Sequence, residues 1–477
     1  MRSDPRSDLP LGHPIPDSPH AVSVSLPRWQ DVIDYEEGRP RVLDQLRSGY
    51  PRFRLHPAVR GINAAAGGFL FASPRAAEAC VDSLRAAGET GRLLAWRGLA
   101  GVAVEATGRK RALEFWQHSG EIVSSRRAEA LLRGGESPAR DARDPLRARV
   151  AALCASGPED VFLFPTGMSS IYNVHAVLVA MGAADGRTVQ FGFPYLDTLK
   201  VQERLGPGAI FFAAGDEDDL ARLAALLEGE RPAAVFTEMP ANPLLRSVDL
   251  PRLFAMTRRA GVPLVVDDSI GAFVNQDLLS RADVLVASLT KYFTGRGDVM
   301  GGAAILNPAS PFYEALASGL AARRPFGLFD DDARLLEEGS RDLTARMARI
   351  NENGERLADA LAVHPAVARV YYPKYETRGR YEACLRPGGG YGGLLSLLLV
   401  DGAETMPAFH DALPIRKGPS FGLGDTIACP YTLLAHYTEL DWAERAGISR
   451  HLLRVSVGLE DSGQLLDVFE RALRTLR

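Results

Sequence analysis

At 477 residues the chain is longer than one hydrophobic core usually serves, so two or three domains are expected. Hydrophobic residues make up 46% and charged residues 24%, and a formal net charge of -4 with interspersed signs gives neither a basic patch for nucleic acid nor a polybasic face for a membrane. No apolar run is long enough to span a bilayer, and the first 20 residues lack the apolar stretch of a signal peptide. The four cysteines, Cys80, Cys154, Cys384 and Cys429, lie far apart without metal-ligand spacing, so a cytoplasmic enzyme with reduced thiols and no metal is expected.

Residues 1–20 are rich in Pro, Ser, Asp and Arg, and are expected to be disordered. They open an N-terminal extension, residues 1–120, with one plausible helix over 76–85 and aromatic anchors at Trp96, Phe115 and Trp116. Its expected work is packing, on the main domain or on a partner subunit. From about residue 150 the pattern becomes regular. Apolar runs at 161–164, 188–193, 210–213, 233–237, 262–266, 284–287 and 302–306 alternate with helical stretches such as 169–179 and 220–227. That alternation requires crossovers and predicts an α/β fold with a mainly parallel sheet, placed here in a large domain, residues 121–330. A helix or helix pair over 331–361 opens a smaller C-terminal α/β domain, residues 331–477, with segments at 367–372, 394–400, 441–446 and 452–457 and a closing helix over 464–476. The glycine-rich loop 388–393 has no Lys-Ser/Thr pair after it and is expected to be a flexible connection.

Polar residues collect where the apolar runs stop, at the carboxyl ends of strands, where open α/β sheets bind ligands. The run beginning at Asp283 ends in Ser288, Thr290 and Lys291. Only five lysines occur in the chain, and arginine carries nearly all the other positive charge. A lysine where arginine is habitual points to an amine that must lose its proton and attack a carbonyl, although a strand-end lysine also simply reaches solvent. Thr166-Gly167-Met168 lies between a strand and a helix and offers amide N–H groups to a phosphate, unless it is only a turn. Ser288 and Thr290 add hydroxyl donors. Asp267 ends a buried strand and calls for a cationic partner such as a protonated pyridine nitrogen, with an N-cap or a local ion pair as the alternative. Phosphate cradle, ring acid and aldehyde-capturing amine together are what pyridoxal 5'-phosphate requires.

These residues also stand in motifs. From about residue 120 to 473 the chain resembles the cystathionine γ-synthase (Cys/Met-metabolism) family of fold-type-I pyridoxal-phosphate enzymes. The resemblance rests on Thr166-Gly167-Met168, Glu238-Met239-Pro240-Ala241-Asn242-Pro243-Leu244, Val266-Asp267-Asp268-Ser269, Ser288-Leu289-Thr290-Lys291-Tyr292, Gly297-Asp298-Val299-Met300-Gly301-Gly302 and Arg454-Val455-Ser456-Val457-Gly458. Upstream, Gly49-Tyr50-Pro51-Arg52-Phe53 and Phe115-Trp116-Gln117-His118 resemble the longer, fungal-type members, as does Cys429-Pro430-Tyr431 near the C-terminus. The resemblance implies Lys291 as the Schiff-base lysine and proton carrier, and Asp267 as the partner of the ring nitrogen. It implies a phosphate cradle from Thr166, Gly167, Met168, Ser288 and Thr290, with Asn242 near the ring hydroxyl. Tyr195 is implied to stack on the ring and to move a proton, and Arg454 with Ser420 to hold the substrate α-carboxylate.

Departures from the family pattern are specific. Ser124-Ser125-Arg126-Arg127 stands where the family has the Tyr-Ser-Arg that reaches a neighbouring subunit's phosphate, so Arg126 is the expected cofactor ligand and Arg52, in Tyr50-Pro51-Arg52, the rival. Tyr195-Leu196-Asp197-Thr198 replaces Tyr-Gly-Gly-Thr, Asp425-Thr426 replaces Glu-Ser, and Arg296 sits in a turn usually built from small or His-type residues. The resemblance implies a homodimer or homotetramer with shared active sites. The expected reaction is γ-replacement on an activated homoserine (O-acyl or O-phospho) by a thiol such as cysteine, giving cystathionine or a related thioether. The alternative is a γ-lyase that turns a γ-substituted, even non-proteinogenic, amino acid into a 2-oxo acid and ammonia. The joint presence of Lys291, Asp267 and Arg454 argues against a non-catalytic relative.

Overall fold

The structure, a computed structural model, describes residues 9–135, 142–182 and 186–476. Residues 1–8 of the stretch expected to be disordered lie outside the described residues, but 9–20 do not behave as composition suggests. Pro14–Ile15 (β1) pairs antiparallel with Ser23–Val24 (β2). Ile15 is buried with Leu423 and Ile427, and these apolar contacts outweigh the polar composition around them.

The extension has a sheet that the sequence reading missed. Phe69–Leu70 (β3), Gly91–Trp96 (β4) and Leu99–Val104 (β5) form an antiparallel sheet in the order β3-β5-β4. The two-residue turn Arg97-Gly98 has φ of 46° and 79°, the left-handed pair that matches the twist of a tight hairpin. The expected helix runs Pro74–Ala86, capped by the Ser73 hydroxyl with Pro74 pre-set at its first turn. Trp116 is fully buried and its indole N–H donates to the Leu70 carbonyl at 3.0 Å.

The regular part folds as the alternation predicts. Val161–Phe164 (β6), Thr188–Phe191 (β7), Ala209–Phe212 (β8), Val235–Glu238 (β9), Leu264–Asp267 (β10), Val284–Ser288 (β11) and Gly302–Leu306 (β12) form one sheet in the order β6-β12-β11-β10-β9-β7-β8. Only β12 runs antiparallel to its neighbours. The sheet is covered on both faces, which is why its strands read as continuous apolar runs rather than alternating ones. The register sets Asp267 opposite Glu238 on one side and Val286 on the other, so the polar ends of β9, β10 and β11 lie side by side.

The stretch 331–361 is a helix pair, Asp330–Gly339 and Leu343–Ala362. Beyond it Val367–Tyr371 (β13), Leu394–Leu399 (β14), Arg416–Lys417 (β15), Ile427–Pro430 (β16) and Leu453–Ser456 (β17) form a second sheet, ordered β13-β14-β17-β16-β15, with only β15–β16 parallel. The segment at 441–446 is helical, and Ser462–Arg474 closes the chain. The loop 388–393 is a tied junction rather than a flexible connection. Gly390 and Gly392 N–H donate to the side-chain oxygens of Asn275 and Asn351, and the hydroxyls of Tyr381 and Tyr372 donate back to the carbonyls of the same two glycines. Glycine is required there because a Cβ on Gly389 would stand 2.3 Å from the Asn275 carbonyl oxygen.

The N-terminal segment packs on both halves. Val24, Leu26, Trp29, Val32 and Val42 share a core with Leu357, Leu397, Leu453 and Phe469. Phe71, Ala77 and Trp116 share another with Phe164, Met168 and Val286. Tyr50 and Arg52 lie on the stretch that crosses between them. Among the described residues no helix is long and apolar enough to cross a membrane.

Candidate active site

The carboxyl ends of the large sheet open into a cavity of about 490 Å³, walled on the far side by residues of the second sheet and of the N-terminal segment. Lys291 stands in its wall, 7% exposed. Its Nζ donates to Ser420 Oγ at 3.2 Å and lies 4.7 Å from the Tyr50 ring centre and 4.8 Å from that of Phe421. Burial lowers the proton affinity of the amine; Tyr50 opposes this and Arg454 and Arg52 add to it. A lysine so placed gives up its proton more readily than one in water, and the neutral amine is the form that attacks carbonyls and accepts protons.

Asp267 ends β10 with Oδ1 accepting the Ser269 N–H at 2.9 Å. Burial pushes its carboxyl up to about 6, the bonds to Ser269 notwithstanding. No cation pairs with it among the described residues, so a buried acid waits on the cavity wall for one. Its neighbour Glu238 has spent both oxygens on backbone, accepting from Tyr195 N–H at 2.6 Å and Asn242 N–H at 3.1 Å. Burial and the adjacent Asp267 push that carboxyl well above its ordinary range.

The anion cradle is built by β6 handing over to the helix Gly167–Met181. Thr166 caps that helix, its Oγ1 accepting from Ser169 N–H at 3.0 Å and donating to the Gly120 carbonyl at 2.9 Å. Its hydroxyl is therefore committed, and the amides of Gly167 and Met168 stand in the first turn at the positive end of the helix, where an anion is favoured. Gly167 has no room for a side chain: a Cβ would lie 2.7 Å from Ser288 Cβ. Thr290 lines the cavity, but its Oγ1 accepts from Gly301 N–H at 3.2 Å, so it braces the loop after β11 as well.

Arg454, on β17, is 4% exposed and has no carboxylate within ion-pair reach among the described residues. It donates to Asn242 Oδ1 at 3.0 Å and to the carbonyls of Pro419 and Ser420 at 3.3 Å each. Asn242 in turn donates from Nδ2 to the Tyr431 hydroxyl at 3.0 Å, so one amide orients both the guanidinium and a phenol. The guanidinium carbon lies 5.1 Å from the Phe421 ring centre, the same ring that Lys291 approaches. A buried, oriented guanidinium without its own anion is a receptor for a carboxylate.

The structure gathers Thr166, Gly167, Met168, Tyr195, Asn242, Asp267, Ser288, Thr290, Lys291 and Arg454 around this one cavity, with Ser420 bonded to Lys291. It does not bring Arg126 there. That guanidinium donates to the Asp298 carbonyl at 2.6 Å and pairs with the carboxylates of Asp298 and Asp332 at 3.2 Å each. Within its own chain two acids on the neighbouring loop and helix pair with it, and Arg52 lines the cavity. Arg296 pairs with Asp298 at 3.0 Å, and Asp425 pairs with Arg416 at 2.6 Å. Those departures from the family pattern thus have local partners. Tyr431, Glu238, Asp197 and His118 also line or back the site and were not singled out from the sequence. The signals for them were Asp197 standing where the family has glycine, and Tyr431 and His118 lying inside the fungal-type motifs.

Residues 138–474 match the family model for the Cys/Met metabolism PLP-dependent enzymes. The chain belongs to this family. It is a pyridoxal-phosphate-dependent, cystathionine γ-synthase-like enzyme with the fold-type-I architecture of its relatives. It is 35% identical to a cystathionine γ-synthase of Neurospora crassa over 97% of this chain and 98% of that one. It is 36% identical to an L-2-amino-4-chloropent-4-enoate dechlorinase/desaturase of Streptantibioticus cattleyicolor, over 96% and 97% of the two chains. Among solved structures it is similar to cystathionine gamma synthase from Xanthomonas oryzae pv. oryzae in complex with aminoacrylate and cysteine. That match has a TM-score of 0.62 and 26% identity, covering 72% of this chain and 89% of that one.

Proposed function

We propose that this family member catalyses γ-replacement on an activated homoserine, with a thiol such as cysteine as the incoming group and a thioether amino acid as product. What supports this most is that Lys291 and Arg454 both approach Phe421, at 4.8 Å and 5.1 Å from its ring centre, on the wall of one cavity. An amino acid whose carboxylate lies on Arg454 presents its Cα to the Lys291 amine.

The residues present fit pyridoxal phosphate. The amides of Gly167 and Met168, with Ser288 and Thr290, would hold its phosphate, Asn242 would lie near its ring hydroxyl, and Asp267 would face its ring nitrogen. Lys291 would carry its aldehyde carbon. Bound there, the cofactor supplies an electron sink that makes the substrate Cα–H and then a Cβ–H acidic. Asp267 keeps a positive charge opposite itself and is relieved of the burial cost it bears alone. Lys291 takes the Cα proton and returns it. Tyr195, at the cavity wall, is placed to carry a proton to or from the γ-substituent. In balance, the Cγ–O bond breaks with its electron pair leaving on oxygen, a C–S bond forms at Cγ, and the thiol proton ends on the departing group.

The Streptantibioticus cattleyicolor relative, named for loss of chlorine and desaturation, is as similar as the synthase, and γ-elimination is therefore the second reading. Purified enzyme given O-acyl-homoserine with and without cysteine separates the two. A thioether product formed only with cysteine supports replacement. Release of 2-oxo acid and ammonia at a rate indifferent to cysteine overturns it.

A further inference from the structure

Arg52 is a fully buried cation. It is 1% exposed, as is Asp197. Its Nη2 lies 2.6 Å from Asp197 Oδ2 in an ion pair and donates to the Tyr195 phenol oxygen at 2.5 Å, and its Nη1 donates to the Gln117 carbonyl at 2.8 Å. Asp197 Oδ1 takes a second bond, from His118 Nδ1 at 2.9 Å. Gln117 and His118 are neighbours on the helix Arg109–Ser119, and Tyr195 and Asp197 straddle the start of the helix Leu196–Lys200. Two helices thus grip one guanidinium that arrives on the N-terminal segment of the same chain. With its charge matched by Asp197 and its Nη2 shared with a phenol, Arg52 is built to act on Tyr195.

We propose that Asp197 and His118 are positioning residues that clamp Arg52 against the Tyr195 phenol, and that this clamp sets how readily the phenol exchanges its proton. The inference deepens the proposed function, since it assigns a regulator to the phenol used there. A short bond from a guanidinium stabilises the phenolate, whereas a nearby carboxylate opposes it. The two act from opposite sides: burial raises the Tyr195 proton affinity, Arg52 lowers it and Asp197 raises it. The other groups facing Tyr195 are the phenols of Tyr50 and Tyr431 and, at its backbone N–H, Glu238; Lys291 lies beyond Tyr50. None of these is bonded to the Tyr195 oxygen. Asp197 stands where the resembling family has glycine, so the clamp is a feature of this variant of the motif.

The test is opposite movement. In full-length protein, loaded and cofactor-free, the phenolate of Tyr195 is titrated by ultraviolet difference absorption against Tyr195→Phe in each background. Arg52→Gln should move the titration up by about 1 to 3 pH units, the range for removing a close opposite charge, and Asp197→Asn should move it down. The basic limb of the kcat/KM profile should follow in the same directions. Movement of both variants in one direction, or of neither, overturns the clamp. If Asp197→Asn does not fold, His118→Ala and His118→Gln decide. Without a donor on its other oxygen, Asp197 neutralises Arg52 more fully, so the alanine variant should titrate higher and glutamine should restore the native value. An alanine variant that titrates as the native protein does overturns the clamp. Separately, a Tyr195→Phe enzyme with undiminished kcat removes the phenol from the proposed function, and the titration still judges the clamp.

Discussion

Removing Arg454 measures the carboxylate site directly. The guanidinium is 4% exposed and already oriented by Asn242 at 3.0 Å, so little ordering remains when a carboxylate arrives. Two charge-assisted hydrogen bonds of roughly 1.5–3 kcal/mol each give about 3–6 kcal/mol of substrate binding. At 1.4 kcal/mol per tenfold, Arg454→Ala should therefore lower kcat/KM by about 10²–10⁴, with most of the loss in KM. Arg454→Lys keeps the charge but not the fork and should lose one of the two bonds, or about 10- to 100-fold. Fold stability should change less, because truncation strands Asn242 Oδ1, at about 1–3 kcal/mol, while also removing a buried charge. The assay is steady-state kinetics with an O-acyl-homoserine, with thermal unfolding and visible absorption of the bound cofactor as controls. A variant that folds, keeps its absorption and shows an unchanged KM would refute the assignment.

Gly167→Ala should weaken cofactor binding at least about tenfold by equilibrium dialysis, because its Cβ would stand 2.7 Å from Ser288 Cβ and push the helix start away from β11; unchanged affinity would remove the cradle. Asp267 gives a pH signature. Its carboxyl is raised from an ordinary 3.8 to about 6, so the folded chain holds that proton more tightly than the unfolded one, and stability falls as pH rises through that interval. For the cofactor-free protein the loss is on the order of 3 kcal/mol, and Asp267→Asn should remove it from the urea midpoint measured across that range; a variant with the native pH slope contradicts the assignment. Tyr50 and Arg52 face Lys291 and Tyr195 within one chain. Co-expressed Lys291→Ala and Arg52→Ala chains should therefore recover no activity, and recovery would mean that the N-terminal segment serves a neighbour's site.

The large sheet and its chemistry were legible because they depend on local signals. A strand buried on both faces must be apolar along its length, and the residues that stop it, such as Asp267 after Val266 or Ser288 after Ala287, sit at the ligand-binding edge by topology alone. The hairpin β4–β5 was not legible, because half of β4 is exposed and its only strong mark was the Arg97-Gly98 turn. Loop 388–393 was misjudged for a related reason: glycine permits both flexibility and close packing, and only the partners Asn275 and Asn351 show which applies.

Where Arg126 and Arg52 stand within one chain follows from counter-charge that sequence order does not reveal. Arg126 has two acids within 3.2 Å, far along the chain at Asp298 and Asp332. Arg52 has one, Asp197, and shares its remaining hydrogen-bonding capacity with Tyr195 and a carbonyl. Burying a guanidinium at 1% exposure is costly unless every donor is used, and here the Arg52–Asp197 pair directs one donor at a phenol on the cavity wall. A pair needed only for packing would bury both partners' donors and acceptors against each other and the backbone. This one directs a bond at Tyr195, so the proton affinities of the carboxylate and the phenol are coupled through a guanidinium that stays charged.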